Sequence, residues 1–506
     1  MNNIAPITHY IIVGGGSAGW ISAAILSRVT AHLPCKITLI ESPTISSVGV
    51  GEATIPSIID LLRFLDIPQT EFIQATQATF KLGIKFTNWL TEDHSYWHPF
   101  GNIGQAIDGL SFYQHWLGAK QRGNKNQYSD FSPNVVLAEQ NKFAQAQQHQ
   151  KNILSHSTYA LHLDATLMAD YLKKYCLTRG VIHRTAHIHD ATVCEKQQIT
   201  SVILDNKEQL AADFYIDCSG QSALLIGKTL QVSYQNWQHY LPVDSAVVVQ
   251  SKNPSQRQPY THAIAHPYGW QWQIPLNNRT GNGYVYCSKY CSDKEALATL
   301  TNNITEPLEN TPRVIKFTTG KRDVFWHKNC LSIGLSAGFL EPLESTGLYL
   351  IMKGMLNFVA MLPDSQFQQA RCDEYNRQMD LEFENIRDFI IIHYSLTQRN
   401  DSAFWQDWRT RPLPKSLEHK LAVFKSNGIL MKNPQDLFSD DSWYAVLEGM
   451  KMRPANLNPL VNNSDHQQVD AILQKHIYLL EQMIKQAPRH EAFVNALHNN
   501  TQKADS

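Results

Sequence analysis

Tyr10-Ile11-Ile12-Val13-Gly14-Gly15-Gly16-Ser17-Ala18-Gly19 is the stretch that decides the fold. Four apolar residues, Tyr10 to Val13, predict a short buried strand, and the small and apolar residues from Ala18 to Ser27 predict the helix that follows. Gly14, Gly16 and Gly19 fit G-x-G-x-x-G. The first glycine permits the turn, the second lets the backbone approach a pyrophosphate, and the third lets helix and strand pack closely. A helix opening near Ser17 and Ala18 offers unpaired N–H groups and a positive dipole end to that phosphate. Lys36 to Ile40 predicts a second strand closing on Glu41, which lies 22 residues beyond Gly19 and is the candidate acceptor for an adenosine ribose hydroxyl. The spacing predicts a βαβ unit at the start of a nucleotide-binding sheet. The motif alone does not separate FAD from NAD.

Working outward, 506 residues with 43% apolar and 18% charged side chains form an ordinary globular composition in two lobes. A formal net charge of −1 gives no field for steering toward nucleic acid or an anionic membrane, so a small partner is expected. Met1 to Tyr10 lacks a basic segment followed by an apolar run, and no apolar stretch of about 20 residues occurs. A soluble, cytoplasmic protein is the expectation. Of the eight cysteines, only Cys287 and Cys291 are close in sequence, which predicts reduced, mostly buried thiols and no metal site.

Asp164 is set to cap a helix whose apolar positions Leu167, Met168, Tyr171, Leu172 and Tyr175 recur at helical spacing, with Gly180 as its stop. From Val181 to Gly220 short β-type segments alternate with polar turns, and Phe214 to Asp217 runs into the small-residue loop Cys218-Ser219-Gly220, a second cofactor-like strand and loop. Beyond about Leu348 helical patterning predominates. Val469, Leu473, Ile477, Leu480 and Ile484 mark one stripe that stops near Pro488, and Asn499 to Ser506 reads as a frayed end.

Three further stretches carry chemistry. In Ala78 to Trp89 an extended reading puts Phe80, Leu82, Ile84 and Phe86 on one face, with Lys81 and Lys85 on the other. Desolvation there would lower a lysine pKa and supply neutral amine. In Trp270 to Pro275, Trp270, Trp272 and Ile274 share one face of a strand, and a W-x-W of this kind alone is more often core packing. Before Leu348 to Met352, the turn Gly338 to Gly347 includes Glu344-Ser345-Thr346-Gly347. A helix beginning at Ser345 or Thr346 would expose the Thr346 and Gly347 N–H groups as a small anion site.

Taken together, the glycine loop, Trp270-Gln271-Trp272-Gln273-Ile274-Pro275 and Glu344-Ser345-Thr346-Gly347 resemble the flavin-dependent halogenases, most strongly over Ile11 to Gly101 and Trp270 to Gly347. The resemblance implies an α/β (mixed α+β) flavin monooxygenase fold with a Rossmann-like FAD-binding region, residues 1–350, and a helical substrate-binding lobe, residues 351–506. It implies FAD held by Gly14, Gly16, Ser17, Ala18, Gly19 and Glu41, by Gly51 and Ala53 within Gly49-Val50-Gly51-Glu52-Ala53-Thr54-Ile55-Pro56, and by Ser345 and Leu348. Thr346 and Gly347 would bind chloride or bromide, Lys81 and Glu344 would be catalytic, and His98 and Phe100 of His98-Pro99-Phe100-Gly101 would sandwich an indole. Trp270 and Trp272 would separate flavin from substrate.

By that likeness the protein oxidises halide to hypohalous acid with reduced FAD and oxygen, and Lys81 directs it to an electron-rich aromatic while Glu344 assists proton removal or polarises the oxidant. The implied partners are a small aromatic substrate, a separate flavin reductase and, at most, a second copy in a homodimer. An aromatic monooxygenase and a non-catalytic flavin-binding protein are the alternatives. Two departures stand out. Gln221 and Ser222 occupy positions where relatives carry an aromatic and an arginine, and Leu335 stands where flavoproteins of this architecture place an aspartate. His393-Tyr394, Phe404-Trp405 and Trp443-Tyr444 carry a weaker likeness. The residues that grip the amino-acid moiety of tryptophan have no match, which leaves indole, an indole derivative, a phenol or a carrier-bound aryl group beside tryptophan.

Overall fold

The computed structural model describes residues 6–44, 51–145, 152–431 and 436–499. Gly49 and Val50, and the tail beyond Asn499, lie outside them. The opening strand, His9–Val13, lies parallel between Lys36–Glu41 and Phe214–Asp217, in a six-stranded sheet ordered Trp326–His327, Cys330–Ser332, Phe214–Asp217, His9–Val13, Lys36–Glu41, Ile182–Thr185. The central strands are near-continuous apolar runs because both faces are covered, as parallel sheets require. On one face packs the helix Ser17–Val29, which buries Trp20, Ile21, Ile25 and Leu26.

Gly14 holds a backbone φ of +115°, and a Cβ there would sit 2.2 Å from the Cys218 carbonyl oxygen. Gly19 would bring one to 1.8 Å from the Gly14 carbonyl oxygen, so the third glycine is a packing requirement between helix and strand. The Asp164 cap forms as expected: its carboxylate accepts from Thr166 N and Leu167 N at the head of Ala165–Thr178.

A second, seven-stranded sheet carries the tryptophans. Its order is Arg313–Lys316, Ser245–Ser251, Thr280–Tyr286, Gly269–Pro275, Thr261–His266, Gly83–Thr87, Ser95–Pro99. The pairs are antiparallel apart from Thr261–His266 with Gly83–Thr87. Here the structure departs from the single extended run expected around the lysines. The chain breaks at Leu82, so Thr79–Lys81 belongs to a three-stranded sheet with Ala160–Asp164 and Gly51–Ala53, while Gly83–Thr87 joins the seven-stranded one. Leu82 N donates to the Pro259 carbonyl at this jump, and the two lysines part company. Lys85 forms a half-buried pair with Glu139, whereas Lys81 has no exposed surface.

Past Gly347 the described residues are helical and connecting. Gln369–Ser395 is the longest helix, and His466–Gln486 buries Val469, Leu473, Leu480 and Ile484. The last helix, His490–Asn499, folds back over the lysine strand: Phe80, Phe143 and Phe493 pack ring to ring in a cluster, and His490 Nε2 accepts from Phe80 N. No helix of the described residues is long and apolar enough to cross a membrane.

Candidate active site

Where the two larger sheets meet lies a cavity of about 400 Å³. Gly16, Ser17 and Ala18 line it from the glycine loop, Gly51 and Ala53 from the second segment, and Ser345, Gly347 and Leu348 from the acidic turn. Of the residues picked out from sequence as cofactor-binding, Gly16, Ser17, Ala18, Gly51, Ala53, Ser345 and Leu348 thus share one space, while Gly14, Gly19 and Glu41 do not line it. A Cβ on Gly16 or Gly347 would meet nothing within 4 Å, so the backbone is open to a ligand at both points. Glu41 Oε2 is taken by Lys173 Nζ at 3.2 Å and His183 Nε2 at 2.8 Å, while Oε1 lies against Gly15.

At the second loop the buried Asp217 carboxylate accepts from the backbone N–H groups of Ser219, Leu225 and Ile226, fixing the turn that carries Cys218, Gly220 and Gln221 to the cavity wall. Leu335 also lines the cavity and remains exposed. A glycine-rich loop and a helix N-terminus fit a dinucleotide, and the remaining wall, rich in Trp272, Ile274, Ile333 and Phe339, suits a flat ring system.

Lys81 stands one side chain behind that wall. Its Nζ donates to the Thr54 carbonyl at 3.0 Å and to Ser345 Oγ at 2.9 Å, and lies 5.2 Å from the centre of the Phe100 ring. Burial pushes the amine down to about 7, against the charges of Glu344 and Glu52. Two acceptors satisfy the two N–H bonds of a neutral amine and leave its lone pair free, whereas an ammonium would have a third proton to place. Glu52, which lines the cofactor cavity, is pushed up to about 7 by the same burial.

Ser345 adopts φ +60°, and this left-handed residue turns the chain so that Glu344 points inward just before the helix Gly347–Ala360, capped at Thr346. Glu344 is buried between two imidazoles. His98 Nδ1 lies 2.7 Å from Oε2 and His393 Nε2 lies 2.8 Å from Oε1. The second contact is close but off-line, leaving both of its atoms without a well-aligned hydrogen bond. Burial works to raise the Glu344 pKa, but the imidazoles outweigh it and hold the carboxyl well below the usual range. Behind His393, the Tyr96 hydroxyl lies 2.7 Å from Nδ1.

His98 faces the rings of Phe389 and Phe438, and Phe438 forms the inner end of a second cavity of about 680 Å³, lined further by Asn102, Ser111, Leu430, Trp443 and Tyr444. The two tryptophans of Gly269–Pro275 have different surroundings. Trp272 lines the cofactor cavity. Trp270 turns inward, where its Nε1 donates to Glu341 Oε2 at 2.9 Å, an oxygen that also accepts from Tyr394.

Sequence reasoning missed Glu341, Tyr96 and the part of His393. Tyr96 and His98 alternate on one strand face, a signal available in the sequence. The approach of His393 from a helix some 295 residues away is not. Among the described residues no cluster could hold a metal ion.

Residues 9–466 match the family model for tryptophan halogenase. Tryptophan 6-halogenase SttH of Streptomyces toxytricini is 33% identical over 437 residues, covering 82% of this chain and 83% of that enzyme. Among solved structures, BrvH, a flavin-dependent halogenase from Brevundimonas sp. BAL3, superposes with TM-score 0.93 at 38% identity over 97% of this chain and 99% of its own. Xcc4156, a flavin-dependent halogenase from Xanthomonas campestris, gives 0.94 at 35% identity over 97% and 98%.

Proposed function

Because the chain belongs to the tryptophan halogenase family, we propose that it halogenates an indole or similarly electron-rich ring, using chloride or bromide, oxygen and reduced FAD. The observation that carries this reading is the buried Lys81 amine, held by Thr54 and Ser345 between the cofactor cavity and the Phe100 ring, with Glu344 as the next side chain but one.

FAD, bound in reduced form, supplies the electrons with which oxygen oxidises halide to hypohalous acid. The glycine loop and Glu41 hold its dinucleotide portion, Gly51, Ala53 and Leu348 border the cavity, and the open turn at Thr346 and Gly347 suits a halide. Trp272 and the strand around it exclude the organic ring from this compartment. Lys81 then engages the oxidant. Its neutral amine either hydrogen-bonds hypohalous acid or exchanges one N–H proton for halogen with release of water. The aromatic carbon takes the halogen as the electrophile, the X–O or X–N bond breaks with its electron pair protonated to release water or re-form the Lys81 amine, and the ring gives up an equal proton to the Glu344 carboxylate, which His98 and His393 keep anionic. Phe100 and His98 border the ring, and the bend at Phe438 with the helix Asp440–Gly449 supplies the outer walls through Phe438 and Trp443. Reduced FAD comes from a separate flavin reductase, since the sequence carries one dinucleotide loop.

Chemically reduced FAD, mixed with oxygen, bromide and a panel of indoles and phenols, tests the reading by product mass. Brominated product is the expected result. A gain of oxygen would instead mark a hydroxylase, and no product would leave flavin binding alone.

The lysine adds a pH signature. A group held down to about 7 is mostly neutral above that value and protonated below it. Halogenation at saturating reduced FAD should therefore fall about tenfold per pH unit below about 7. A rate constant down to about pH 5.5 would rule out the neutral amine as the reacting form.

A further inference from the structure

Four polar groups form a chain through the interior: Tyr96, His393, Glu344 and His98. Tyr96 and His98 project from Ser95–Pro99, His393 from the last turn of Gln369–Ser395, and Glu344 from the turn before Gly347–Ala360. Lys81 faces Glu344 from Thr79–Lys81, and around His393 are the rings of Phe86, Trp89 and Phe389. Nothing in the reaction as derived above uses Tyr96.

Among the described residues its hydroxyl has one hydrogen-bond partner, His393 Nδ1 at 2.7 Å. Burial, and secondarily the Glu344 charge, hold the phenol well above its ordinary pKa, so it remains an O–H donor. Burial lowers the pKa of His393, against the hydrogen bond and charge of Glu344, and so favours the neutral imidazole with one proton. A buried O–H is satisfied only by donating. Donation to Nδ1 forces the imidazole proton onto Nε2, the nitrogen 2.8 Å from Glu344 Oε1. The opposite tautomer would leave the Tyr96 proton without an acceptor and aim a bare nitrogen lone pair at a carboxylate.

We propose that Tyr96 is a positioning residue that fixes the Nε2–H tautomer of His393, and through it keeps Glu344 oriented and anionic as the acceptor of the ring proton.

The role of Glu344 rests on the halogenase reading; the tautomer does not, and the two are tested separately. Nitrogen-15 histidine correlation spectra, with the His393 signals assigned by their loss in His393→Gln, should show protonated Nε2 in the wild-type protein and a mixture or the other tautomer in Tyr96→Phe. Protonated Nδ1 in the wild type overturns the proposal whether or not the protein halogenates anything.

For the function, Tyr96→Phe should lower kcat about tenfold with KM for the aromatic and FAD affinity unchanged. A hydrogen isotope effect should emerge with ring-deuterated substrate, because proton removal has become slow. A merely structural loss lowers the rate without that isotope effect, and such a result overturns the proposal. In a His393→Gln background, which has no tautomer to fix, adding Tyr96→Phe should change nothing further; additive losses would show that Tyr96 acts by another route. If wild-type protein yields no halogenated product while the spectra show Nε2–H, the functional reading falls and the tautomer stands.

Discussion

Lys81→Ala should halogenate no aromatic substrate above about one thousandth of the wild-type rate, yet bind FAD and let reduced FAD react with oxygen at the normal rate. The split follows from the geometry. Lys81 is separated from the cofactor cavity by Ser345 and Glu52, which line it, and the variant leaves the glycine loop, the Asp217 turn and the cavity wall intact. Lys81→Met is the matched control, since it fills the same space without an amine. It should be equally inactive and no less stable, because keeping an amine in this dry site carries a desolvation cost that a thioether does not. Stopped-flow oxidation of the flavin, product mass and thermal unfolding on the same preparations check all three statements. Loss of FAD binding in both variants would mean that the lysine supports the cofactor and does not handle the oxidant.

Gly283→Ala should damage the protein from the other side of the wall. The Trp272 indole lies on Gly283, and a Cβ there would come within 2.1 Å of Trp272 Cζ2. Gly283 is in the middle of Thr280–Tyr286, paired on both sides, so the strand cannot retreat and the indole must swing. Since Trp272 lines the cofactor cavity, its displacement should weaken FAD binding by about 100-fold and destabilise the fold by about 1–3 kcal/mol. Adding Trp272→Phe removes the clashing ring and should restore most of the FAD affinity. It should not restore clean halogenation, because the wall is then too short. Fluorescence titration with FAD measures the first effect, and the ratio of product formed to oxygen consumed measures the second. If Gly283→Ala alone binds FAD like the wild type, the indole is not fixed where the cavity needs it.

Much of this organisation was legible in the chain. The glycine loop and its flanking strands announced the parallel sheet because each residue type there answers a local demand: a positive φ at Gly14, a close approach at Gly19, an unbroken apolar run where both sheet faces are covered. The tryptophan strand and the cap at Asp164 were equally local. What the sequence hid was non-local. Alternation around Lys81 predicted one strand, but the chain changes sheets at Leu82, and no side-chain pattern records a jump that depends on a hydrogen bond to the distant Pro259 carbonyl. The two tryptophans looked alike because they share a strand face. Only the neighbours brought by other segments, Glu341 and Tyr394 for one and the cofactor cavity for the other, distinguish them. Glu341, pushed up to about 7 by burial against its two hydrogen bonds, carries no local signal of that role in the residues beside it. The same limit applies to Glu344, whose two imidazoles arrive from a strand some 246 residues earlier and a helix 49 residues later.

The outer cavity ending at Phe438 draws its walls from the loop after Gly101 and from helices and turns beyond residue 420, whereas the lysine, the carboxylate and the cofactor cradle are built from strands and the turn at Ser345. Under the proposed function, the oxidising apparatus and the mould for the aromatic guest are inherited on different stretches of chain, so that exchanging Leu430, Trp443 and Tyr444 should alter which ring is admitted before it alters how halogen is delivered.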